Sequence, residues 1–191
     1  MLTLISRQTS LESLSLSEMT LGEEDLRKLN GLKSLTTLSL RSCSCSPNSL
    51  SKLSLLARLS DVTAIRCSVS LCSQLLEALS HNSHLTDLTL LDAHLTHSDI
   101  KALASIGSLK SLDLRASNVD NSDLKALTAL SNLRVLSISF NGVDENCVDS
   151  LLKFPKLKTL TVSGLSPASI KRLSLASPHL SVRDLDALPE D

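Results

Sequence analysis

Apolar positions along this chain recur in one figure. A run of the form L-x-x-L-x-L is followed by a break, a lone aliphatic residue, a polar patch and an apolar row at helical spacing. The runs begin at Leu11, Leu35, Leu59, Leu85, Leu109, Leu133 and Leu157, so the steps are 24 residues apart from one of 26. They read LESLSL, LTTLSL, LSDVTA, LTDLTL, LKSLDL, LRVLSI and LKTLTV. Alternation in their second halves sends aliphatic residues to one face and mostly Ser, Thr or Asp to the other. That predicts a short strand with one buried face in every unit. The third run, LSDVTAIRC, is the outlier: Ala64 stands where a leucine belongs and Ile65 takes an outward position. A register shifted by one residue also alternates there.

Beyond the strands, residues such as Leu21, Cys45, Val69, Leu95, Val119 and Val143 supply a second apolar position. The polar residues that follow carry helix-start chemistry, with Ser98, Ser122 or their Asp neighbours placed to accept a first-turn N–H. The segments DLRKLNGL, SLSKLSLL, DIKALASI, DLKALTAL and CVDSLLKF then place apolar residues at i, i+3 and i+6, one helical or tight-turn face per unit. The two surplus residues of the third unit fall in SVSLCSQLLEAL, the outer half, where an insertion disturbs stacking least. A strand-then-helix unit at a fixed period predicts a solenoid, in which each unit buries its apolar edges against its neighbours. Residues 1–191 read as a single such domain with degenerate ends at 1–10 and 178–191, the latter keeping only Leu180, Val182, Leu185 and Leu188 to close the stack. Degenerate caps, a longer parent chain, or a partner seated on the end are the ways to cover such an end face.

Composition sharpens this picture. Leucine and serine dominate, and Phe140 and Phe154 are the two aromatic residues. The core must therefore be filled by one shape repeated rather than by large rings in irregular spaces. A net charge of −1 makes no general case for nucleic acid or an anionic membrane, and no apolar run approaches the ~18 residues of a membrane span. The five cysteines Cys43, Cys45, Cys67, Cys72 and Cys147 sit mostly where small apolar residues belong. Their odd number and placement predict reduced thiols and a cytoplasmic location. MLTLISRQTS has neither the basic start nor the apolar length of a signal peptide, although secretion by a route without such a signal stays open.

The repeated L-x-x-L-x-L run with its turn, aliphatic residue and helical leucines resembles the leucine-rich repeat superfamily over residues 11–177. The 24-residue unit with its SDLKAL-type outer half is similar to the helix-bearing repeats of many bacterial and protist proteins. That family's usual asparagine at the ninth position appears here only as Asn141, with Met19, Cys43, Cys67, Ala93, Ser117 and Leu165 at the equivalent places. A continuous asparagine ladder is therefore not expected. The resemblance implies an α/β solenoid of about seven repeats: a right-handed horseshoe arc with a parallel sheet on the concave side and helices or turns on the convex side. It implies that another protein binds on the concave side, and it brings no catalytic residue and no cofactor.

Seven strands at ~4.8 Å make a strip of roughly 30–35 Å. Most of its outward side chains are small, as at Ser13, Ser15, Ser39, Thr63, Thr89, Ser137, Thr159 and Thr161. Bulk gathers at the outward ends of the middle strands, in Arg41, Ile65, Arg66, Leu91, Asp92, Arg115 and Phe140. Interface hot spots favour Arg and large apolar groups set among weaker contacts, so these residues form the candidate partner site. A solvated face with scattered apolar residues is the competing reading. A basic flank of Lys110, Arg134 and Lys158 fits either an acidic partner segment or a solvated edge.

The pairs His81/His84 and His94/His97 invite a metal, but zinc needs about four converging ligands. The two pairs fall on opposite edges of the repeat, and Asp99 is the nearest carboxylate to His97 in sequence, so no metal is expected. Cys43 and Cys67 hold equivalent positions in adjacent units, roughly 5 Å apart, which a disulfide could span; buried free thiols are the favoured reading. The five dispersed glycines offer no phosphate cradle. The expected function is a non-enzymatic protein–protein interaction module. The alternatives are a substrate-recognition subunit or secreted effector acting with a separate enzyme such as a ubiquitin ligase, or a protein that self-associates through its end repeats.

Overall fold

In a computed structural model describing residues 8–47, 50 and 54–185, every alternating run becomes a strand. In chain order these are β1 (Ser13–Ser17), β2 (Thr20–Leu21), β3 (Thr37–Arg41), β4 (Ser44–Cys45), β5 (Asp61–Ile65), β6 (Asp87–Leu91), β7 (Ser111–Asp113), β8 (Val135–Ser137), β9 (Thr159–Val162) and β10 (Ser181–Asp184). β2 and β4 pair with each other, and the rest form one parallel sheet in the order β1-β3-β5-β6-β7-β8-β9-β10. One row of the register runs Leu14, Leu38, Val62, Leu88, Leu112, Leu136, Leu160 and Val182, all facing inward. Each fully buried leucine in such a row contributes about 1.5–3 kcal/mol. In the next inward row Ala64 lies between Leu40 and Leu90. This removes the shifted register and leaves Ile65 facing outward. The last strand, β10, forms in the tail where the leucine pattern fades, with Val182 in the place of a leucine.

Parallel neighbours need a crossover that returns the chain to the same edge. Helices α1 (Glu23–Leu29), α2 (Val69–Leu79), α3 (His97–Ala104), α4 (Asn121–Leu127), α5 (Val148–Leu151) and α6 (Pro167–Ala176) supply it, with 3-10 turns at Ser54–Arg58 and Glu145–Cys147. The apolar core lies between this outer layer and the sheet. The 26-residue unit spends its surplus in α2, 11 residues long, while Asp61 and Asp87 stay in register. The helix starts differ from the expected ones. Thr96 and Asp120 are the caps, two residues before Ser98 and Ser122, because each helix begins earlier than its leucines. Asp99 and Asp123 take part from the third helical position, each accepting the backbone N–H of its cap residue in a capping box.

The ninth-position residues join the units by different chemistry. Cys43 points its thiol at the Leu16 and Arg41 carbonyls, and Cys67 repeats this with Leu40 and Ile65. All five cysteines are free, and burial pushes the Cys72 and Cys147 thiols up to about 12. Ser117 donates to the Leu90 carbonyl at 2.7 Å, and Asn141 bonds two units at once. Two residues beyond the regular strand pattern, the Ser139 hydroxyl is buried without a partner. Ser139→Ala is therefore expected to raise stability by about 1 kcal/mol, since a buried unpaired hydroxyl costs on that order. Urea unfolding checks this, and a loss of stability would mean that the hydroxyl is satisfied.

No helix among the described residues is long and apolar enough to cross a membrane. Residues 1–7, positions 49 and 51–53 of SLSKLSLL, and Leu188 lie outside the described residues.

Candidate partner-binding site

The outward face of the sheet carries Ser and Thr along most of its length. Its bulk sits at the strands' C-terminal ends. There Arg41, Ile65 and Leu91 are register partners on β3, β5 and β6, and Arg115 continues the row two residues past the Thr89–Asp113 pair. In every unit the following residue turns left-handed: Glu18, Ser42, Arg66, Asp92, Ala116, Phe140 and Gly164 have φ between 50° and 84°. This turn lets the backbone N–H donate sideways to the next unit. Glu18 donates to the Arg41 carbonyl, Ser42 to Ile65, Arg66 to Leu91, Asp92 to Arg115 and Ala116 to Ser139. At Phe140 the acceptor changes to the Ser163 hydroxyl, at 2.7 Å. The left-handed region costs a residue with a Cβ about 1–2 kcal/mol, and only the last unit avoids that cost by using glycine. Arg66, Asp92 and Phe140 therefore stand where backbone energetics alone favour glycine.

The structure brings Arg41, Ile65, Arg66, Leu91, Asp92, Arg115 and Phe140 together around one open depression of ≈ 470 Å³, with Ala116 as an added member. Ile65 and Leu91 are half-buried at its centre, and the Phe140 ring is 63% exposed at one side. Arg115 is held rigidly: its Nε lies 3.0 Å from both Asp113 oxygens and its Nη2 2.7 Å from Oδ2, while its backbone N–H donates to Oδ1. This pairing keeps its guanidinium charged and its pKa above the ordinary value. Arg66 Nε sits 3.5 Å from Asp92, which His94 approaches to 3.9 Å from the other side. The exposed Arg41 guanidinium has no hydrogen bond or ion pair among the described residues.

Asp113, which orients Arg115, was not among the expected residues. Its signal was present, since it lies two positions before Arg115 on the same face of the strand. Asp61 and Asp87, register partners farther down the face, form an acidic pair, and burial plus the neighbouring Asp87 charge push the Asp61 carboxyl up. Lys110, Arg134 and Lys158 are stacked in consecutive units and exposed, at the opposite end of the strands from the depression.

A second cluster forms on the outer layer. His97, Asp120 and Asp123 bring potential ligand atoms within 4.8 Å of one another, so His97 meets Asp123 of the next unit rather than Asp99. The carboxylates are already committed. Asp120 accepts from the Ser122 and Asp123 backbone N–H groups, and Asp123 accepts from the Asp120 N–H and pairs with His97 at 2.5 Å. The set caps α4 and joins it to α3. The Asp123 hydrogen bond and charge raise the His97 pKa above 6.5. A raised folded-state pKa means that this contribution to stability is complete below the unfolded value and fades as pH rises through the folded one. Ring-proton NMR is expected to find His97 titrating above 6.5, and Asp123→Asn should return it towards that value. An ordinary titration in the parent protein would show that the pair does not persist in solution.

No protein-family model and no curated protein sequence matches the chain. The structure is similar to the crystal structure of internalin C2 from Listeria monocytogenes, with a TM-score of 0.57 and 20% identity, covering 86% of this chain and 77% of that one. At that identity the likeness speaks to the fold alone. Together with the eight-stranded parallel sheet and its outer helices, it fits this chain to an α/β solenoid of the leucine-rich repeat kind.

Proposed function

We propose that this chain is a non-catalytic interaction module: a right-handed arc of seven leucine-rich repeats that binds another protein on its concave face, inside a reducing compartment. The observation that carries this reading is the depression around Ile65 and Leu91, where Arg and apolar side chains collect on a strip otherwise covered by small hydroxyls. The parallel strands would present these groups at fixed spacing, so little side-chain and loop ordering is left to oppose association. The Phe140 side chain, 63% exposed at the side of the depression, supports a binding role for its ring.

The test uses Arg41→Glu combined with Phe140→Gly. Glycine relieves the left-handed backbone, so the double variant should melt no lower than the parent protein. Its affinity for a partner recovered from the native source is expected to fall roughly tenfold or more. Unchanged affinity with an intact fold would place the binding surface elsewhere.

A further inference from the structure

The row across the ends of β3, β5, β6 and β7 has a definite chemical order: cation, apolar, apolar, cation, in Arg41, Ile65, Leu91 and Arg115. Strand spacing places its two ends roughly 14 Å apart. Arg41 is unpaired among the described residues. Arg115 is fixed by Asp113 through Nε and one Nη2–H, which leaves three of its five N–H donors for another acceptor. Between them the exposed edges of Ile65 and Leu91 offer a floor for one aliphatic side chain.

Resting on the protein-binding reading above, we infer that this row takes an extended peptide segment of the pattern acidic–x–aliphatic–x–acidic, lying across the strands. In an extended chain residues i, i+2 and i+4 share one face, and i to i+4 spans about 13 Å, close to the roughly 14 Å between the strand positions that carry the two arginines. A helix repeats its face near 10.5 Å at i+7 and about 16.5 Å at i+11, and neither distance matches. The carboxylates meet Arg41 at one end and the pre-oriented Arg115 fork at the other, where planar bidentate pairing is available. The aliphatic residue covers Ile65 and Leu91, and Phe140 closes the side of the depression beyond Arg115.

Blocked pentapeptides ESLSE, ESSSE and KSLSK, titrated into methyl-labelled protein and followed by NMR, test this. ESLSE is expected to shift the Ile65 and Leu91 methyls. ESSSE should bind roughly tenfold more weakly or worse without its aliphatic anchor, and KSLSK should leave those methyls unmoved. Arg41→Ser should weaken ESLSE roughly two- to fivefold, while Arg183→Ser, on the edge strand of the same sheet, should leave it unchanged. Equal binding of KSLSK, an equal loss in Arg183→Ser, or no movement of the two methyls at about 10 mM ESLSE, where even weak contacts register, would overturn the inference. If ESLSE fails while the double variant still loses its protein partner, the segment chemistry falls and the binding reading stands. If the double variant keeps its partner, the binding reading itself falls.

Discussion

Replacing Leu136 by Ala is expected to cost about 2–5 kcal/mol, whereas Val135→Ala, one residue away, should cost under about 1 kcal/mol. Leu136 is fully buried, between Leu112 and Leu160 in the inward row, and Val135 is 37% exposed on the opposite face. Removing the isobutyl group takes contacts from both neighbouring units, and a row locked by strand register on each side cannot collapse into the space. The cost is large because a domain of this size holds only about 5–15 kcal/mol in total. In a solenoid each unit contacts chiefly its neighbours, so the loss weakens both joints that this unit makes with the units beside it. Urea unfolding of both variants, followed by far-UV circular dichroism, reads the difference. Equal shifts in midpoint would mean that the alternation does not separate core from surface.

Asn141→Ala is the second large effect, expected at about 2–4 kcal/mol because it leaves buried backbone groups unpaired. The Asn141 Oδ1 accepts the N–H groups of Ser117 at 2.9 Å and Val119 at 3.0 Å, and its Nδ2 donates to the carbonyls of Leu114 at 2.8 Å and Ile138 at 2.9 Å. One carboxamide thus satisfies turns in two units. Ala fills none of these roles, and Ser117 and Val119 are fully buried. Asn141→Asp separates shape from donor chemistry: it keeps the acceptor for the two N–H groups but turns an oxygen towards the two carbonyls. It should therefore be destabilised as well. Unfolding by urea at neutral pH checks both variants, and an alanine cost under about 0.5 kcal/mol, the level of an ordinary surface change, would show that water replaces the carboxamide freely.

Asn141 could be read from the sequence because it occupies a fixed place in a repeated figure. Asn82 could not. Its buried side chain donates to the Leu56 and Leu59 carbonyls and accepts from the His84 and Leu85 N–H groups, clamping the end of α2 to the preceding unit. It stands three residues before Leu85, where the other units bury Leu32, Leu56, Ile106, Leu130 and Phe154, so the pattern calls for an apolar residue there and says nothing of what an amide would bond. The outward row was legible for the opposite reason. Period-two alternation states which face a side chain takes, and so Arg41, Ile65, Leu91 and Arg115 could be placed on one surface before any coordinate was known. The left-handed row was hidden, since only Gly164 carries the residue type that advertises such a turn. The caps at Thr96 and Asp120 were displaced by two residues because polar clusters mark a helix start only loosely. The strand β10 was hidden because Val182 and its neighbours lack the leucine figure, yet they pair once β9 offers an open edge.

By itself the sequence determined the unit, its period, the inward leucines and the outward bulk, because these follow from side-chain direction along a single strand. Only the tertiary structure decided what depends on neighbouring units lying side by side. That includes the His97–Asp123 pair, the amide row that turns Arg66, Asp92 and Phe140 left-handed, and the depression around Ile65 and Leu91. Residues 24 or 26 apart become neighbours at strand spacing, and their hydrogen bonds and charges then choose partners that no single unit contains.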